Sequence, residues 1–236
     1  DAKAGAAAEA KLAIDSSLTK LVEKNKITAD AKNATLNKIH IAESLQQLAS
    51  CHVVIEAIIE NLEAKRDLFR HLEAIVSTEC LLATNTSSLQ VTAIAAGCKL
   101  PGRVGGFHFF NPVPVMKLVE VIDGALTEPW VGEALMQLAK RTGHTPVKAK
   151  DTPGFIVNHA GRGFGTEALR IVGEGVTDFA TIDRILTDAA GFKIGPFALM
   201  DLTALDVSHP VMESIYNQYY QEPRFRPSPI TAQRLS

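Results

Sequence analysis

Gly106-Phe107-His108-Phe109-Phe110-Asn111-Pro112-Val113-Pro114-Val115-Met116-Lys117-Leu118-Val119-Glu120-Val121 holds a histidine inside an aromatic run, a break with two prolines, and a second apolar run carrying one carboxylate. Apolar runs either side of a proline-rich break read as two short strands and their connection. If the chain folds straight back, His108 and Glu120 lie level with each other. A neutral imidazole would then give one N–H to the carboxylate and offer its other nitrogen as a base. The same spacing suits a core histidine satisfied by a neighbour, since buried polar groups usually find partners. Spacing alone leaves both readings open.

Working outward, residues 51–56 form a short apolar run ending in acid, the look of a buried parallel strand. Leu68, Phe69, Leu72, Ile75 and Val76 repeat at three and four, so a helix packs back. Residues 80–84 read as another strand, followed by polar Asn85-Thr86-Ser87-Ser88, then a strand at 104–110, a helix near 133–141 and an extended segment at 145–150. Strands alternating with helices predict a parallel α/β sheet. Ahead of it, the alanine-rich residues 1–24 read as a helix, and Thr28 as the cap of a second.

After Lys150 the pattern turns almost wholly helical, with Thr152 as a cap and Pro153 in the first turn. This divides the chain at about residue 150 into domains 1–150 and 151–236. No Gly-x-Gly-x-x-Gly stands between a strand and a helix. Gly161-Arg162-Gly163-Phe164-Gly165 follows a helical start, so it reads as close helix packing or a kink, not as a phosphate loop.

Composition narrows the function classes. With 46% hydrophobic and 21% charged residues, the chain is an ordinary globular sequence. A net charge of −2 gives no footprint for nucleic acid or an anionic membrane, and no apolar run reaches the ~20 residues of a membrane span. Cys51, Cys80 and Cys98 form no CxxC pair and read as free thiols in a reducing compartment, taken as the cytoplasm.

The opening stretch resembles the signature of the L-3-hydroxyacyl-CoA dehydrogenase family. Val54-Ile55-Glu56-Ala57-Ile58-Ile59-Glu60-Asn61, Ala83-Thr84-Asn85-Thr86-Ser87-Ser88-Leu89 and Asp151-Thr152-Pro153-Gly154-Phe155-Ile156-Val157-Asn158 match it in the same order. The resemblance implies a partial Rossmann-type dinucleotide-binding domain, followed by a smaller all-α domain on the substrate side that forms a homodimer. It implies NAD as cofactor, an acyl-CoA substrate and no metal. It also implies that a strand, a glycine loop and a further helix and strand precede the residue matching Asp1. By resemblance, His108 and Glu120 form the proton-handling pair, and Ser87 and Asn158 approach the substrate's C3 oxygen. Glu60, Lys65, Ser87 and Asn111 lie by the dinucleotide, Asp1 holds its ribose and favours NAD over NADP, and Ser17 and Lys24 meet the CoA. Taken singly these residues have plainer readings: Ser87 a turn serine, Asn158 an inter-domain hydrogen bond, Lys65 a solvated helix start, Ser17 and Lys24 a solvated face.

The sequence departs from the family in two places. His159 stands where arginine usually follows the asparagine, and Ala204 where glycine is common. Two other readings stay open: a non-catalytic, crystallin-like relative, and one module of a multifunctional β-oxidation protein.

Overall fold

A computed structural model describes residues 3–235. The role read for Asp1 lies outside the described residues. A helical hairpin, α1 (Ala6–Glu23) and α2 (Ala29–Leu36), precedes β1 (Val53–Glu56), α3 (Leu62–Glu73), β2 (Leu81–Thr84), α4 (Val91–Ala95), β3 (Val104–Phe109), β4 (Leu118–Asp123), α5 (Pro129–Arg141) and β5 (Thr145–Lys150). Thr28 caps α2 as expected, its hydroxyl accepting from the Ala31 N–H. α1 begins later than expected, after Gly5 turns the chain at φ 82°.

The five strands lie in chain order, β1 to β5. The sheet is mixed, which corrects the expectation of a parallel one. β1, β2 and β3 run parallel, as do β4 and β5, but β3 and β4 are antiparallel. A parallel connection needs a crossover of about a dozen residues or more, and the short segment 110–117 can only fold back.

The sheet buries both faces because each strand alternates. Leu82, Val104 and Ile122 pack with Phe69 and Leu72 of α3 and Val91 and Ile94 of α4. Leu81, Ala83, Phe107, Val119 and Val121 pack with Val131, Leu135 and Ala139 of α5 on the other face. Each Val, Leu, Ile or Phe among them contributes about 1.5–3 kcal/mol when fully buried. At Gly106 a Cβ would come within 2.8 Å of Val91 and Ile122, so only glycine lets α4 approach β3 this closely. This packing draws α4 onto the face that carries His108 and Glu120, since side chains two apart share a face.

The rest is helical: α6 (Val157–Ala160), α7 (Arg162–Gly173), α8 (Phe179–Arg184) running into a π turn, α9 (Pro196–Thr203), α10 (Leu205–Gln218) and α11 (Pro229–Leu235). Leu169, Met200 and Met212 form its core. The helix expected to open at Thr152 and Pro153 does not form there; α6 starts at Val157. Gly154 (φ 79°) and Phe155 (φ 49°) take left-handed conformations and turn the chain before it can coil. The glycines at 161 and 165 are packing positions: a Cβ would meet the Val157 carbonyl at 2.6 Å and Met200 at 2.9 Å. The architecture is thus a Rossmann-like sheet domain followed by a smaller, largely α-helical domain. No helix among the described residues is long and apolar enough to cross a membrane.

Candidate active site

The hairpin sets His108 directly opposite Glu120. Their side chains share a face, and His108 Nδ1 lies 2.7 Å from Glu120 Oε2. Glu120 is fully buried and His108 nearly so. A buried carboxylate needs several donors, and Glu120 has them: its Oε1 accepts the N–H groups of Ile156 and Val157, each at 2.9 Å. The left-handed pair at 154 and 155 aims these amides at it. Phe110 and Phe155 flank the imidazole at 4.6 and 5.7 Å between ring centroids. With the carboxylate holding Nδ1–H, the ring's Nε2 is the acceptor. It has no hydrogen-bond partner among the described residues.

The loop after β2 supplies the next groups, and both domains grip it. Glu60, past the end of β1, accepts from the Ser87 and Ser88 N–H groups and the Ser88 hydroxyl, each at 3.0 Å, and from the Thr86 hydroxyl. Burial alone would raise the Glu60 pKa. The Thr86 hydroxyl, the Lys65 charge and the Ser88 and Ser87 donors outweigh it and hold the carboxyl below its usual range. From the helical side, Asn158 Nδ2 donates to the Ser87 carbonyl at 3.2 Å, and Gln218 Nε2 to the Ser88 carbonyl at 3.0 Å. Asn85 Oδ1 accepts the Phe109 N–H, fastening the loop to the end of β3. Ser87, His108, Glu120 and Asn158 are therefore gathered at one junction.

Other residues fall differently. Lys65 is not a solvated helix residue. Its side chain is 1% exposed and its ammonium sits 2.6 Å from Glu56 and 3.4 Å from Glu60. Glu56, the acidic end of β1, also accepts from the Thr84 hydroxyl and the Ile58 N–H. Nothing in its local sequence marks it, because its partners are up to 28 residues away. Asn111 is exposed past the end of β3. Ser17 bonds back to the Ala13 carbonyl, and Lys24 ends α1 in solvent. Neither is joined by a hydrogen bond or ion pair to the His108 cluster among the described residues. His159 donates to or accepts from Tyr219 at 2.7 Å and packs on Tyr219 and Phe225. His209 pairs with Thr231 at 2.9 Å and approaches Glu213 at 3.6 Å, so both its nitrogens join helices and neither is free as a base.

The residues at the ends of β1 to β3 fit the nicotinamide half of a dinucleotide. Ser87 and Asn111 offer neutral hydroxyl and amide groups, and Ile58 and Ile59 leave apolar surface exposed just past the end of β1. Ligands bind outside the carboxyl ends of such strands. No group of three or more His, Cys, Asp or Glu able to hold a metal occurs among the described residues.

The chain thus joins a Rossmann-like domain to a helical one and gathers a buried His–Glu pair and polar loop groups where the two meet. Comparison with known proteins agrees. Residues 1–152 match the family model for the 3-hydroxyacyl-CoA dehydrogenase NAD-binding domain, and residues 154–236 that for the 3-hydroxyacyl-CoA dehydrogenase C-terminal domain. The chain belongs to the 3-hydroxyacyl-CoA dehydrogenase family, and its cofactor is NAD. It is 45% identical over 215 residues to the 3-hydroxyadipyl-CoA dehydrogenase of Escherichia coli (strain K12), covering 91% of this chain and 45% of that one. It is 41% identical over 217 residues to a probable 3-hydroxybutyryl-CoA dehydrogenase of Deinococcus radiodurans, covering 92% and 77%. A crystal structure of 3-hydroxybutyryl-CoA dehydrogenase from Escherichia coli K12 superposes with a TM-score of 0.96 at 42% identity, over 100% of this chain and 50% of that one. The chain thus spans about half the length of two of these proteins and about three quarters of the third.

Proposed function

We propose that the protein carrying this chain oxidises an L-3-hydroxyacyl-CoA to the 3-ketoacyl-CoA. The observation that carries this reading is the His108–Glu120 pair: one ring nitrogen held by a buried carboxylate, the other unpaired. His108 Nε2 takes the proton of the 3-hydroxyl group. The hydrogen at C3 leaves as hydride, and the carbon–oxygen double bond forms. NAD, when bound, supplies the hydride acceptor at C4 of its nicotinamide ring. Glu120 keeps the imidazole in the tautomer that can accept, then stabilises the imidazolium. Ser87 and Asn158 hydrogen-bond the C3 oxygen, strengthening as its charge shifts. Glu60, Lys65, Asn111 and Asp1 are assigned to the dinucleotide side, and Ser17 and Lys24 to CoA.

The partner reading is a homodimer through the helical domain. There Ile185, Leu202 and Val207 are more than half exposed, apolar surface that a second copy would cover. A reducing compartment, read as the cytoplasm, fits three cysteines that form no disulfide. The test of function is NADH absorbance with full-length protein and a panel of 3-hydroxyacyl-CoA thioesters. Absence of turnover with every thioester would reject the reading in favour of a structural relative.

A further inference from the structure

Behind Ser87 and Asn158 a cavity of about 330 Å³ opens into the helical domain. Its walls are mostly apolar, including Phe164, Leu199, Met200, Val211 and Met212. That is the lining expected for a hydrocarbon chain, apart from two groups. Among the described residues Arg162 is the only ionisable one lining it, and Ser208 lies there too. Arg162 Nε and Ser208 Oγ are both buried without a hydrogen-bond partner, two of five such side-chain atoms among the described residues. No opposite charge compensates the guanidinium: among the described residues the lining holds no Asp or Glu, and Arg162 has no ion pair.

A guanidinium stays charged in proteins, and burial without a partner is unfavourable for it. Burial accordingly pulls its pKa below the usual arginine range. Two unsatisfied donors lining one cavity therefore call for an acceptor that arrives with the ligand. A carboxylate suits the planar fork, which can grip both oxygens, with the serine hydroxyl as a further donor. A phosphate of CoA suits it less, since one cation in an apolar chamber does not match a multiply charged group.

Resting on the dehydrogenase reading of the same site, we propose that Arg162 and Ser208 bind the far carboxylate of a 3-hydroxydicarboxylyl-CoA, so that the acyl chain ends in an acid and not a methyl group. Spacing suggests the chain length. Asn158 and Arg162 are four residues apart in helical backbone that continues through Gly161 at φ −71°, which sets them on one face about 6 Å apart along the axis. With Asn158 at the C3 oxygen, a carboxylate three bonds beyond C3 lies about 3.8 Å further along an extended chain. The arginine's own reach closes the remainder. A six-carbon diacid fits this interval.

The test compares adipyl-CoA with hexanoyl-CoA, which lack the 3-hydroxyl and bind without reacting. Calorimetry on full-length wild type, Arg162→Met and Ser208→Ala should show the diacid bound more tightly by at least about tenfold in wild type. That preference should collapse in Arg162→Met and shrink in Ser208→Ala. In turnover, the kcat/KM ratio of 3-hydroxyadipyl-CoA to 3-hydroxyhexanoyl-CoA should fall about 100-fold in Arg162→Met, as when a site loses the group that recognises a polar substrate. Equal binding of the two thioesters by wild type, or equal losses for both in the variants, would overturn the proposal. If Arg162→Met does not fold, Ser208→Ala and the wild-type preference decide. Diacid preference without NADH formation from any thioester would sink the dehydrogenase reading and leave the carboxylate site standing.

Discussion

Glu120 holds His108 with one carboxylate oxygen and the first amides of the helical domain with the other. One side chain thus orients the imidazole and ties the domain junction against which it works. Replacing the carboxylate therefore affects chemistry and the domain junction together, whereas replacing the imidazole leaves the two amide contacts to the helical domain in place.

His108→Gln should lower kcat by about 10²- to 10⁴-fold, the worth of a positioned acid–base group. Glu120→Gln should also lose turnover, and the double variant should lose little more than the worse single one, because the two act as a unit. Steady-state NADH formation measures this. A His108 variant with near-normal kcat would remove the base assignment.

Lys65→Met should destabilise the protein by about 3–5 kcal/mol, because it strands the buried Glu56 carboxylate. Chemical denaturation reads this directly. If Lys65 served the cofactor alone, the variant would keep its denaturation midpoint and show only a raised KM for NAD.

Glu60 carries a pH prediction. Its folded pKa lies below the unfolded value, so its contribution is complete above about pH 4.3 and fades as pH falls through the lower folded value. Glu60→Gln should thus be less stable than wild type at pH 7, by about 1 kcal/mol given a side chain one-third exposed to screening. The gap should close in acid. A gap that persisted unchanged at pH 3 would show that charge on Glu60 does not organise the 86–88 loop.

Ala204, between α9 and α10, adopts φ 63° and ψ 141°. That region is essentially reserved for glycine, and an alanine there is strained by about 1–3 kcal/mol. Ala204→Gly should raise stability, by about 1 kcal/mol once glycine's greater unfolded freedom is deducted, or about 2–4 °C in Tm. Calorimetric scans of the two proteins decide it, and a lower Tm for the glycine variant would contradict the backbone geometry.

Much of the architecture was legible along the chain because its causes are local. Short apolar runs marked the strands, helical spacing marked α3, the Thr28 cap marked α2, and the short Asn-Pro-Val-Pro break brought His108 level with Glu120; α4 and the boundaries of most helices after residue 157 were not marked. No strand precedes the Gly-rich 161–165 segment, which sits in helical backbone, with Gly165 packed on Met200 and Gly163 facing open space. The misreadings arose where local type was overruled. Thr152 looks like a cap, but the left-handed Gly154 and Phe155 delay the helix until Glu120 can cap it from another strand. Lys65 looks solvated, but Glu56, nine residues back, draws it into the core.

By itself, the sequence determined the α/β order and the hairpin that sets His108 level with Glu120, both fixed by periodicity and turn chemistry within a few residues, while spacing alone left the role of that pair open. Only the tertiary structure decided that Glu60, Asn158 and Gln218 would clasp one loop, that Ala204 would be strained, and that Arg162 would line an apolar cavity without a counter-charge. Those facts depend on which distant groups share a small volume, and desolvation and charge pairing act on that proximity, not on neighbourhood along the chain.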